Sequence, residues 1–142
     1  MATLKNTNDI AKVRRAAQTA AGILDYLTPH IKAGITTGEI DRLTRERIAE
    51  LGIRSATVGY GHPPFPGAIC TSINHVVCHG MPSDKKLKDG VIVNLDITIE
   101  QDGWFGDTSR MFIIGKPSIL ARRLVDTTYE CMWKGIRAVK PG

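Results

Sequence analysis

The sequence predicts an α/β fold of the α+β kind, in which an antiparallel sheet is covered by helices. Two patterns predict it. Three segments repeat apolar residues at three- and four-residue spacing, the period of a helix packed on one side, while residues 91–101 alternate apolar and polar, the period of a half-buried strand. The alternation runs into Asp102-Gly103, a dipeptide that tolerates positive φ at both positions and so suits a strand that turns back beside itself. At 142 residues, 42% hydrophobic and 23% charged, the chain suits one compact domain with a real core and excludes fibrous or disordered structure.

The first helix opens at Asn8 or Asp9, either of which can cap it. It carries Ile10, Val13, Ala17, Ala20, Leu24 and Leu27 on one face and stops at Pro29. The second opens with the Thr-x-x-Glu spacing of a capping box at Thr36 and Glu39, buries Ile40, Leu43, Ile48 and Leu51, and ends at Gly52. Residues 59–67, GYGHPPFPG, are too rich in Gly and Pro for regular structure, and the apolar-polar stretch AICTSINHVVCHG follows. A third helix starts at Ser118, buries Leu120, Leu124, Cys131 and Ala138, and stops at Pro141. The three helices together are expected to cover the apolar face of strand 91–99.

That strand has two unlike faces. Val91, Val93, Leu95, Ile97 and Ile99 make one wholly apolar, whereas Asn94, Asp96, Thr98 and Glu100, with Ile92, make the other. A two-residue turn at Asp102-Gly103 places Asp96 opposite Ser109 and Thr98 opposite Asp107. Asp96 and Asp107 then share one face as diagonal neighbours, ~7–8 Å apart at the backbone, and their carboxylates can converge. A three-residue loop would send them to opposite faces, so the inference rests on the turn. Converging carboxylates repel, and their spacing leaves three arrangements open: a divalent metal between them, a salt bridge to Arg110 or a lysine, or an exposed hairpin face.

Composition removes several function classes. No apolar run approaches the ~20 residues of a membrane span, and residues 1–15 lack the apolar core of a secretory signal, so no membrane partner and a cytoplasmic location are expected. Three cysteines, Cys70, Cys78 and Cys131, are too few for a disulfide framework, and Cys70 and Cys78 with His75 and His79 do not have zinc-site spacing. The net charge of +5 is scattered over Arg14-Arg15, Lys85-Lys86-Lys88 and Arg122-Arg123 without interleaved aromatics, which argues against a specific nucleic-acid site. Tyr60, Phe65 and Trp104 read as packing aromatics, and Cys131 and Trp133 as helix residues without chemistry.

Longer words are more specific. SINHVVCHG (72–80), LKDGVIVNLDITIEQDGWFGDTSRMFIIGKP (87–117) and IKAGITTGEID (31–41) occur in an order and spacing that resemble the type I methionine aminopeptidases, from about Ile10 to Gly142. The resemblance implies that Asp96 and Asp107 are metal ligands and that His79 faces the substrate and hydrogen-bonds it. It implies also that the loop with Tyr60, His62, Phe65 and Cys70 walls the pocket for the methionine side chain. Without the resemblance, His79 reads first as a structural histidine bonded to backbone.

The same resemblance implies the pita-bread fold, a pseudo-twofold duplication of which residues 1–142 are the N-terminal half. The family's remaining metal ligands, a His and two Glu, belong to a second half absent from this chain, and IKAG at 31–34 echoed by VKPG at 139–142 marks where a second copy would begin. The implied activity is removal of the initiator methionine from N-terminal methionyl peptides with a small second residue. The implied cofactors are two divalent metal ions, Co, Mn, Fe, Zn or Ni. A rival reading is an inactive pita-bread module that binds a partner such as the ribosome through its basic surface. A hydrolase of X-Pro bonds is disfavoured by SINHVVCHG.

Overall fold

The computed structural model describes residues 6–142, so the start of the N-terminal stretch read for a secretory signal lies outside the described residues. Two helices come first. α1 (Thr7–Leu27) is capped by Asn6, whose side chain accepts from Asp9 N at 2.9 Å while Asp9 returns a bond to Asn6 N. The expected cap at Asn8 or Asp9 is therefore displaced: Asp9 is the third helical residue, and its part in the capping box gives it the look of a cap. A short 3-10 turn over Thr28–His30 follows, and α2 (Thr37–Glu50) begins where expected, with Thr36 accepting from Glu39 N.

The sheet is antiparallel and has β3 (Ile92–Gln101) at its centre. Along one edge of β3 lie, end to end, β1 (Arg54–Ser55) and β2 (Cys70–Ile73), and along the other lies β4 (Trp104–Ile113). The two short strands flank the Gly- and Pro-rich residues 59–67, β1 before them and β2 in the apolar-polar stretch that follows. The hairpin has the expected register, with Asp96 opposite Ser109 and Thr98 opposite Asp107. Its turn is made by Asp102 at φ 54° and Gly103 at φ 79°, and Glu100 accepts from Gly103 N at 2.8 Å.

Val93, Leu95, Ile97 and Ile99 are fully buried against α1, which lies across β3 and β4. Its buried face is Ala16, Ala20, Ile23, Leu24 and Leu27; the expected Ile10, Val13 and Ala17 are exposed. Small residues face the sheet because the helix backbone comes very close to it: a Cβ on Gly106 would sit 2.2 Å from Ala16 O. α2 packs on α1 and β1 and contributes Ile40 and Ile48, with Leu43 half-buried, whereas Leu51 is exposed at the helix end beside Gly52 (φ 64°).

α3 (Ile119–Ala138) starts at its expected cap, Ser118, but buries none of its residues. Leu120, Leu124, Cys131 and Ala138, expected in the core, are exposed. The helix is amphipathic, yet among the described residues nothing buries its apolar side. Two helices, not three, cover this sheet, and α1 alone covers the apolar face of β3 broadly.

Candidate active site

The face of the sheet opposite α1 carries a row of polar groups set by register. Directly paired residues project to the same side, so Cys70 of β2, Asp96 of β3 and Ser109 of β4 form one row, and Thr98 with Asp107 forms the next. Asp96 is half-buried and Asp107 exposed. Burial, then the neighbouring Asp107 carboxylate, push the Asp96 carboxyl above its ordinary value, and His79 pulls it partly back. The same surroundings act on Cys70: burial first, then the charges of Asp96, Cys78 and Asp107, push its thiol up to about 11. Asp96, Asp107, His79 and Cys70 therefore share one electrostatic neighbourhood.

His79 reaches it through an unusual backbone. Its φ of 56° lies in the left-handed region that side chains other than Gly rarely adopt, a conformation that costs of order 1–3 kcal/mol and persists only where the surroundings fix it. The fixing contacts are at Gly80, whose carbonyl accepts from Thr71 N at 2.7 Å and whose amide donates to Ser72 Oγ at 3.1 Å. A Cβ on Gly80 would lie 2.3 Å from Thr71 O, so the His-Gly pair is what lets this loop fold flat on β2. No periodicity reveals that contact; only the adjacency of His and Gly hints at it.

The salt-bridge arrangement for the aspartates is overturned. Arg110 projects to the α1 side of the sheet, where it pairs with Asp25 at 2.8 Å and Thr28 at 3.1 Å. Among the described residues neither Asp96 nor Asp107 has a salt-bridge partner. Two hard oxygen donors that repel one another without a protein cation between them fit a divalent metal. They fit it only in part: among the described residues no group of three or more His, Cys, Asp or Glu side chains is arranged to hold an ion.

The pocket residues expected from resemblance are spread along one loop. Cys70 lies buried on the site face and Phe65 is half-buried. Tyr60, 78% exposed, and His62, also exposed, stand on the outer part of the loop, which closes through bonds between Gly59 N and Phe65 O and between Phe65 N and Tyr60 O, both 2.8 Å. No helix among the described residues is long and apolar enough to cross a membrane.

Residues 11–142 match the model of metallopeptidase family M24. The methionine aminopeptidase of Salmonella typhimurium is 49% identical over 142 residues, which are 99% of this chain and 53% of that protein, so the chain spans about half the length of the curated relatives it matches. The crystal structure of methionine aminopeptidase from Rickettsia prowazekii superposes with a TM-score of 0.96 at 46% identity, covering 100% of this chain and 56% of that one. The methionine aminopeptidase structure from Thermotoga maritima gives 0.92 at 31% identity, covering 100% of this chain and 57% of that one. The α+β architecture is thus that of part of the pita-bread aminopeptidases. By sequence and by fold, the chain belongs to metallopeptidase family M24.

Proposed function

We propose that this chain contributes to a metal-dependent aminopeptidase that removes the initiator methionine from peptides whose second residue is small. The observation that carries the reading is the convergence of Asp96 and Asp107 on the open face of the sheet beside His79. Asp96 and Asp107 would hold part of the first shell of two divalent ions, Co, Mn, Fe, Zn or Ni, which when bound supply an activated water and polarise a carbonyl. His79 donates a hydrogen bond to the substrate and stabilises negative charge as it develops on the scissile group. Cys70, kept as a neutral thiol by its surroundings, lines the side-chain pocket with Phe65, and Tyr60 and His62 flank its entrance. Nascent chains are the substrate and the cytoplasm is the compartment in which this reading places the protein.

Two carboxylates supply only part of the first shell of a divalent ion and leave water to fill the rest, and on this reading the missing protein ligands are the His and two Glu that the resemblance assigns to a second half. The 142-residue chain alone is expected to release negligible methionine from Met-Ala-Ser, and metal-dependent release is expected once a second half is supplied in cis or as a separate fragment. In the complemented enzyme, Asp96→Asn or Asp107→Asn should abolish turnover, while His79→Ala lowers kcat with metal retained. Robust methionine release by the mass-verified 142-residue chain would contradict the ligand count.

A further inference from the structure

The loop that precedes Cys70 is held by a helix that takes no part in the site. β1 and β2 lie along the same edge of β3, where Ala56 N donates to Thr98 O at 3.0 Å and Cys70 pairs with Asp96. Residues 57–69 therefore leave the sheet and return to it within two residues of β3, beside the Asp96 side chain. Their returning arm is fastened to α2. Asp41, only 9% exposed, accepts from Ala68 N at 2.6 Å through one carboxylate oxygen and from Arg45 Nε at 2.7 Å through the other, and Arg45 also donates to Pro66 O. Two consecutive turns of α2 thus grip residues 66 and 68 from one helical face.

We propose that Asp41 and Arg45 are positioning residues that set the width of the methionine side-chain pocket, a claim that rests on the aminopeptidase reading above. The physical reason is leverage. Phe65 and Cys70 lie on either side of the gripped residues, and Gly67 between them packs so closely that a Cβ there would meet Pro82 at 2.8 Å and Phe65 at 3.0 Å. Asp41 bonds backbone, so the loop's path is fixed whatever side chains it carries. Neither residue reaches the reacting atoms. The pair acts through the wall it holds, and hydrophobic pockets discriminate side chains by small differences in fit.

The test uses the complete metal-loaded enzyme and three substitutions of graded severity. Asp41→Ala removes both of its bonds, Asp41→Asn keeps an acceptor for Ala68 N but loses the charge that holds Arg45, and Arg45→Gln releases Pro66 O and the ion pair to Asp41 while leaving the Asp41 bond to Ala68 N. The ratio of kcat/KM for Met-Ala-Ser over Leu-Ala-Ser is expected to fall about tenfold in Asp41→Ala, less in the other two, mainly through KM for the methionyl peptide. A merely structural role would lower the folded fraction and reduce both substrates in parallel, and an unchanged ratio overturns the proposal. Amide exchange at Ala68, read in the same samples, does not depend on catalysis: it should accelerate in Asp41→Ala while the amides of β3 stay protected, and unchanged exchange overturns the clamp whatever the kinetics. A wild-type enzyme that ignores methionyl peptides would instead sink the aminopeptidase reading, with the exchange still deciding the clamp.

Discussion

α1 and α3 are both amphipathic helices of about six turns, each with a good N-cap, and they have opposite fates. Leu24 and Leu27 of α1 are 1% and 0% exposed; Leu120 and Leu124 of α3 are 77% and 59% exposed. The difference does not lie in the helices. α1 has the apolar face of β3 beneath it and Gly106 to let it approach, whereas no described residue of α3 is buried by a neighbour. Periodicity states that a face wants covering, and only the partner decides whether it is covered. The polar face of the hairpin belongs with α3: its aspartates, too, lack a partner for what they could bind.

The contrast should show first in the cores of the two helices. Leu24→Ala should cost ~2–5 kcal/mol in urea unfolding, because it empties a fully buried site, while Leu124→Ala should stay within about 0.5 kcal/mol. Equal costs would mean that α3 is packed in solution. The glycines give a smaller contrast of opposite sign. Gly106→Ala forces α1 away from β4 and should cost about 1–3 kcal/mol, whereas Gly135→Ala in α3, where a Cβ meets nothing within 4 Å, should add roughly 0.5–1 kcal/mol of helix stability.

The smallest effect belongs to the site itself and depends on pH. Because the folded chain raises the Asp96 pKa, it binds that proton more tightly than the unfolded chain does, so metal-free stability should fall as pH rises from the ordinary value of 3.8 through the raised one. Asp96→Asn should remove that decline and leave the metal-free protein slightly more stable at neutral pH. Paired unfolding curves at low and neutral pH measure it; a variant less stable at both would mean that the Asp96 carboxylate stabilises the fold rather than serving a ligand.

Local chemistry was the legible part of this sequence. One dipeptide, Asp102-Gly103, fixed the register of ten residue pairs and with it the shared face of Asp96 and Asp107. Thr36 and Ser118 announced two helix starts by the hydroxyl each offers to a backbone amide. What stayed hidden was non-local. Nothing around Asp41 says that its carboxylate will meet Ala68, and only its place after His79 hints that Gly80 lies on Thr71. β2 escaped notice because all four of its residues are buried, which erases the alternation by which a strand is recognised. The face of α1 was right at Ala20, Leu24 and Leu27 but was carried too far toward the N-terminus, to Ile10, Val13 and Ala17, and passed over Ala16, a small residue that a close helix-sheet contact needs.

If Asp96 and Asp107 form an incomplete metal site, free Mn²⁺ followed by electron paramagnetic resonance should fall as the 142-residue chain is titrated in. Weak binding is expected in the unaltered chain, and it should fall to background in both Asp96→Asn and Asp107→Asn. It should persist in Asp25→Asn, which removes a carboxylate paired with Arg110 on the other side of the sheet. Mn²⁺ binding that survives both Asp96→Asn and Asp107→Asn would show that these carboxylates are not ligands.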